Sequence, residues 1–211
     1  MKLVVARLLD SGSDVRVLAR HDRPVPKGVT FFTADLRTGQ GIDPAVTALS
    51  VIIRCATSTR GDARATRNLV AAASRTGSAH LVYVSIVGID HLASWGYPKA
   101  KLQAEQAVAA SGLPWTILRV TQFYDYCLAN AQKLSRFPVA PVPAGFIVQP
   151  VDPRDVADRL VELALGEPAG QGWMRSRSSS RPGCVGSQLS ACRVRVLDEG
   201  WSVAKIGPSG P

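Results

Sequence analysis

Three residues of this 211-residue chain have the types and spacing needed to move a proton. Ser85 closes the apolar run Leu81-Val82-Tyr83-Val84, and twelve positions later comes Tyr97-Pro98-Lys99-Ala100-Lys101. On a helix, positions 97, 101, 104 and 108 share a face. Ala104 and Val108 give that face a small apolar surface for packing, with Tyr97 and Lys101 at its start. A lysine ammonium beside a phenol favours the phenolate. A group of pKa ~10 then becomes a usable proton donor or acceptor near neutrality. A serine hydroxyl from the neighbouring strand can hold a carbonyl oxygen, a contact worth ~10²–10³ in rate. Pro98 is expected to push Tyr97 out of helical geometry into a cap position. Tyr-x-x-x-Lys alone also describes a packing tyrosine and an ordinary helix lysine; the serine upstream on a strand is what makes it more specific.

The elements that must position these groups alternate between two periods. Residues 4–9 carry apolar positions at helical spacing and stop at Ser11-Gly12, a helix-end signal. Short β-rich runs follow at 15–19, 29–32, 51–56, 81–85 and 115–119. Helices are predicted from Asp43-Pro44, over 62–74, over 98–111 before Gly112, and over Pro153–Leu165 with Asp152 as its cap. Strands apolar on both faces and separated by helices belong in a parallel sheet covered on both sides. The fold class is therefore α/β, a doubly wound parallel sheet. Ligands of such sheets bind beyond the carboxyl ends of the strands. The positions there are Arg20, Asp35-Leu36, Thr57-Ser58, Ser85 and Thr121-Gln122.

Composition narrows the classes. Apolar residues make up 46% of the chain and charged ones 19%, enough for one sizeable core. Residues 1–170 hold 19 Lys/Arg against 14 Asp/Glu, and the last 41 hold 6 against 2. The basic excess is scattered, without interleaved aromatics for base stacking, which argues against a nucleic-acid partner. The four Cys form no C-x-x-C pair and the three His have no ligand spacing, so no metal site is expected. No apolar stretch approaches the ~20 residues of a membrane span, and no secretory signal is visible. A soluble, cytoplasmic protein without a membrane partner is the expectation; composition is silent on oligomeric state.

Several segments together resemble the short-chain dehydrogenase/reductase superfamily, in its atypical, NmrA-like NAD(P)H-binding branch. They are VVARLLDSGSDVRVLAR, ADL after the run at 29–32, ATRNLVAAA, LVYVSIVGID, YPKAKLQAEQAVAASGLPWTILRVTQFY and VDPRDVADRLVELAL, within about residues 3–168. The resemblance implies a Rossmann-like fold and a catalytic set of Ser85, Tyr97 and Lys101. Tyr97 would be the general acid/base, Ser85 would hold the carbonyl oxygen, and Lys101 would bind the nicotinamide ribose and tune Tyr97. Arg20 would stand where NAD enzymes keep an acid, and a cation there fits the 2′-phosphate of NADP. Asp35 and Leu36 would flank the adenine, Ala56 and Thr57 would lie along the cofactor, and Thr121, Gln122 and Phe123 would border nicotinamide and substrate. Asn68 matches an asparagine that is commonly a structural hydrogen-bonder. The implied activity is NADP-dependent oxidation or reduction of a small carbonyl or alcohol substrate, or sugar-epimerase-like chemistry. The alternatives are a non-catalytic NADP(H) sensor and a truncated, non-functional gene product.

Two departures from the family pattern carry expectations of their own. The family opens with a strand and a Gly-rich phosphate loop, whereas Met1 here falls inside the helix that should follow them. Gly39-Gln40-Gly41 comes after the run at 29–32 and is a turn, not a dinucleotide fingerprint. With the usual order 3-2-1-4-5-6, the absent strand is central, which leaves a gap of ~9.6 Å between its neighbours. A marginally stable chain with weak dinucleotide binding follows from that gap. The domain is placed at 1–170. Residues 171–211, rich in Arg, Ser and Gly, are expected to form an irregular basic tail, either phosphorylated on its serines or the product of out-of-frame translation. Within it, 192–197 is a candidate short strand.

Overall fold

The structure is a computed structural model that describes residues 2–55, 61–77, 79–92, 96–136, 149–174 and 193–197. It opens with helix α1 (Lys2–Asp10), strand β1 (Asp14–Ala19), strand β2 (Val29–Thr33) and helix α2 (Ile42–Val46). Strand β3 (Val51–Arg54), helix α3 (Asp62–Thr76), strand β4 (His80–Ile86) and the short helix α4 (Ile89–Leu92) come next. Helix α5 (Gly96–Ala109), strand β5 (Trp115–Val120) and helix α6 (Tyr124–Leu134) lead to helix α7 (Pro153–Leu165). Strands β6 (Gly170–Met174) and β7 (Arg193–Leu197) complete the described residues.

The seven strands form one sheet, in the order β2-β1-β7-β3-β4-β5-β6, and every pair is parallel. Successive side chains of a strand point to opposite faces, and here both sets are apolar. Leu18, Ile52, Leu81, Tyr83 and Ile117 face α2, α3 and α5, packing on Leu69, Ala72, Ala104 and Val108. Val15, Val17, Ile53, Val82 and Leu118 face α1 and α7, packing on Val4, Leu8, Val156 and Leu160. The doubly wound, Rossmann-like class is therefore the observed one.

Two expectations need correction. The middle of the sheet is not open, because β7 lies between β1 and β3. Its Val194 is level with Val15 on one side and Val51 on the other, and its Val196 with Val17 and Ile53. The physical reason is the one that made a gap costly. Each buried backbone group left unpaired costs ~1–3 kcal/mol, and an Arg-Val-Arg-Val-Leu strand from the far end of the chain can pair on both sides at once. The basic segment is also not irregular at its start, since 171–174 belong to β6, while β7 at 193–197 falls on the short strand expected at 192–197.

Local signals account for several boundaries. Asp152 Oδ1 accepts the backbone N–H of Arg154 at 2.8 Å and caps α7, with Pro153 at the first helical position. Gly41 precedes α2 at φ +73, and a Cβ there would stand 2.9 Å from the carbonyl oxygen of Thr33. Only glycine fits that turn. Near the start of β6, Thr116 Oγ1 accepts the Ala169 N–H at 2.9 Å and lies 2.9 Å from His80 Nε2. Helix α6 buries none of its residues and escaped the periodicity reading for that reason. Among the described residues, no helix is long and apolar enough to cross a membrane.

The position of β7 sets a test of the fold. Val196→Pro removes a ladder N–H from a strand paired on both sides, and the buried carbonyl left unpaired costs ~1–3 kcal/mol. The substituted chain is expected to lose that much stability in urea unfolding. An unchanged midpoint would mean that β7 does not occupy the centre of the sheet.

Candidate functional site

The carboxyl ends of the strands carry the candidate groups, and β4 is the element around which they gather. Ser85 is buried at 1% exposure, and its Oγ finds no hydrogen-bond partner among the described residues. Its strand neighbour in register is Arg119 of β5, and two positions on comes Thr121. The Oγ1 of Thr121 is likewise buried without a partner. A buried hydroxyl is normally satisfied. Two such hydroxyls at neighbouring strand ends are suited to a ligand that brings its own donors and acceptors.

Helix α5 supplies the other two groups. Tyr97 lies inside the first turn, not at a cap, because a proline at 98 falls where backbone N–H groups have no intrahelical acceptor and none is lost. Tyr97 is half-buried, and Lys101, Ala104 and Val108 are buried along the same helix face. The Lys101 ammonium donates to the Val84 carbonyl at 2.8 Å, stands 3.5 Å from Asp62 Oδ2, and lies 4.5 Å from the centre of the Tyr83 ring. Burial pulls its pKa down to about 8, with Asp62 opposing the shift and Arg54 adding to it.

Beneath Lys101 is a buried polar network that the motif reading did not find. Arg54, at the end of β3, is fully buried and donates from Nη2 to Asp62 Oδ1 at 2.6 Å and from Nε to Thr66 Oγ1 at 3.1 Å. The Tyr83 hydroxyl donates to Asp62 Oδ2 at 2.7 Å. Burial, followed by the neighbouring Asp62 charge, raises the Tyr83 pKa well above that of an ordinary phenol, so Tyr83 remains a donor. The signal for this network was in the sequence. Arg54 interrupts an apolar strand, and an ionised group buried on such a strand must have a partner.

Arg119 repeats the theme on β5. It donates to Glu105 of α5 at 2.6 and 2.9 Å and to the Asp90 carboxylate of α4. Hydrogen bonding to Glu105 raises the Arg119 pKa, and hydrogen bonding to Arg119 lowers that of Asp90. The pair ties α5 to the sheet one turn beyond Lys101.

The remaining candidates spread along the same edge. Arg20 follows β1 and is half-exposed. Asp35 Oδ1 accepts the Arg37 N–H at 2.8 Å, and the Asn68 amide donates to the carbonyls of Leu36 and Arg37 at 2.8 and 3.2 Å. Asn68 is thus a structural hydrogen-bonder. The Leu36 side chain is fully buried in the core. Asp35, Arg37, Thr38, Gly61 and Arg64 line a cleft of about 370 Å³. Gln122 is exposed and accepts the Val151 N–H at 2.9 Å, while Phe123 pairs with Val151 and packs on the α1/α7 side of the core. A second cleft of about 440 Å³ is lined by Leu3, Tyr124, Asp125, Asp152, Pro153 and Arg154. Neither cleft includes Ser85, Tyr97 or Lys101. Ala56 and Thr57 lie outside the described residues. Among the described residues, no cluster of His, Cys, Asp and Glu could hold a metal ion.

Comparison with known proteins places this arrangement in context. A family model described as NAD(P)H-binding matches residues 2–165. Over 173 residues, 77% of the chain, it is 33% identical to an uncharacterized protein of Mycobacterium tuberculosis, of which the match covers 18%. It is 30% identical over the same share to the (4-alkanoyl-5-oxo-2,5-dihydrofuran-3-yl)methyl phosphate reductase of Streptomyces griseus, of which 58% is covered. The chain therefore spans less than two thirds of either relative. Among solved structures, it is similar to the Citrobacter sp. triphenylmethane reductase complexed with NADP(H). The TM-score is 0.67 at 19% identity, over 83% of this chain and 66% of that one.

The Arg119 network sets a stability test. Arg119→Met leaves the buried Glu105 carboxylate uncompensated, which costs ~3–5 kcal/mol. Adding Glu105→Gln to the same chain should recover a large part of that loss in urea unfolding. A near-neutral Arg119→Met would show that the pair does not hold α5 to the sheet.

Proposed function

The chain belongs to the NAD(P)H-binding family, with the fold of the atypical short-chain dehydrogenase/reductases, and on that premise we propose that it is an NADP(H)-dependent reductase of a small carbonyl compound. The observation that carries this reading is the buried Ser85 hydroxyl, without a partner among the described residues, on the strand that Lys101 grips. With Tyr97 one helical turn before Lys101, Ser85 would serve as the carbonyl donor, Tyr97 as the proton donor and Lys101 as the cation.

A dinucleotide along the carboxyl edge would meet the Ser85 and Thr121 hydroxyls, which find no partner among the described residues. Arg20, with His21 and Arg23 beside it, is suited to a 2′-phosphate through guanidinium hydrogen bonds, and no carboxylate ends β1. Asp35 and the backbone of Leu36 would border the adenine. Thr121 and Lys101 would face the nicotinamide end, and Gln122 and Phe123 the substrate. Reduced nicotinamide supplies a hydride to the substrate carbon. Ser85 would hold the carbonyl oxygen, and Tyr97 would deliver its phenolic proton to that oxygen as the new C–H bond forms. The Lys101 cation would stabilise the phenolate left behind. The oxygen-rich ring substrate named for the Streptomyces reductase supports a carbonyl-bearing substrate class here.

Binding and turnover test the two halves of the proposal separately. NADPH titrated into the chain should bind more tightly than NADH, and Arg20→Asp should reverse that order. Equal affinity of the unsubstituted chain for both would end the case for NADP. With a panel of carbonyl compounds, Tyr97→Phe should abolish NADPH consumption while leaving cofactor affinity within a few-fold. Binding without consumption across the panel would favour a cofactor-sensing role. Full activity in Tyr97→Phe would move the chemistry elsewhere.

A further inference from the structure

Two cations and one carboxylate share a volume from which water is excluded. The side chains of Arg54 and Asp62 are fully buried and that of Lys101 is 3% exposed. Arg54 directs Nε to Thr66 and Nη2 to Asp62, and its Nη1 has no partner among the described residues. A guanidinium does not lose its proton in a protein. The guanidinium charge is therefore fixed, and Lys101 is the cation of this group that can lose its proton.

The geometry also fixes where the ammonium points. One of its three donors is used on the Val84 carbonyl, a second faces Asp62 Oδ2, and the Tyr83 ring covers the side below. Among the described residues, one donor direction is left for the cofactor ribose or the Tyr97 phenol. The charged and titratable groups around Lys101 are Arg54 of β3, Cys55 just after it, Asp62 of α3, Tyr83 of β4 and, on its own helix, Tyr97. Glu105, one turn further on, is occupied by Arg119.

We propose that Asp62 is a positioning residue that holds the Lys101 ammonium in place and in its charged form, with Arg54 working against it. This rests on reading Lys101 as part of the reductase site. Tyr83 joins the arrangement twice, as the ring under the ammonium and as a competitor for Asp62 Oδ2, at 2.7 Å against 3.5 Å for Lys101. Removing the carboxylate should favour the neutral amine, whereas removing the guanidinium should favour the ammonium. Opposite shifts from two adjacent buried residues are not what mere loss of packing produces.

The experiment is a pH titration of the intact chain labelled with ¹³C at lysine Cε. The chain has six lysines, and the Lys101 signal is identified by its absence in Lys101→Arg. The unsubstituted midpoint should fall near 8, the value set by burial against the Asp62 charge. Asp62→Asn should lower it by roughly one unit or more, and Asp62→Glu should restore most of that shift. Arg54→Met should raise it by roughly one unit, and Tyr83→Phe should raise it less. Should Asp62→Asn fail to fold, the upward shifts in Arg54→Met and Tyr83→Phe still decide the matter. Midpoints that stay put, or that move the same way in Asp62→Asn and Arg54→Met, overturn the proposal. NADPH fluorescence on the same samples keeps the two readings apart. Loss of binding in every sample would count against the reductase site, while the lysine midpoints would still report on Asp62. Where turnover is seen, its alkaline limb should follow the Lys101 midpoint from variant to variant.

Discussion

Parallel pairing in the middle of the sheet is the constraint on which the rest depends. Strands β1 and β3 each present a row of backbone donors and acceptors towards the centre, where no water reaches. Net stability of a domain is only ~5–15 kcal/mol, and each unpaired group there removes ~1–3. Strand β7 satisfies both rows in one register, level with Val15 to Leu18 on one side and Val51 to Arg54 on the other. The carboxyl ends of β1, β3 and β4 are thereby lined up on one edge, and with them Arg20, Arg54 and Ser85.

A second layer of constraint is electrostatic and acts on helix α5. Two arginines, Arg54 and Arg119, rise from apolar strands and must find acids in the covering layer. Arg54 meets Asp62 at the start of α3, and Asp62 in turn faces Lys101. Arg119 meets Glu105 one turn further along α5. The helix is thus tied to its surroundings at two successive turns of its buried face. Tyr97 stands on the same helix, one turn before Lys101.

What was legible in the sequence was mostly local. Helix α7 runs from Pro153 to Leu165 as its Asp-Pro start and apolar stripe predict, because capping and periodicity need only neighbouring residues. The face shared by Tyr97, Lys101, Ala104 and Val108 was legible for the same reason. The strand at 193–197 was visible as an alternation of Arg and Val, but nothing in five residues says which slot they fill. Tyr83 and Asp62 gave no functional signal, since one sits in an apolar run and the other opens a helix. Their meeting depends on how β3 and β4 align, which is a property of the folded sheet. Arg54 was the missed clue, a charge in a strand with no exposed face.

Hydrogen–deuterium exchange of the intact chain, followed by mass spectrometry, tests the central strand most directly. Amides of 194–197 should exchange as slowly as those of β4, since both strands are paired on two sides. Exchange of 194–197 within seconds, while β3 and β4 stay protected, would contradict the account.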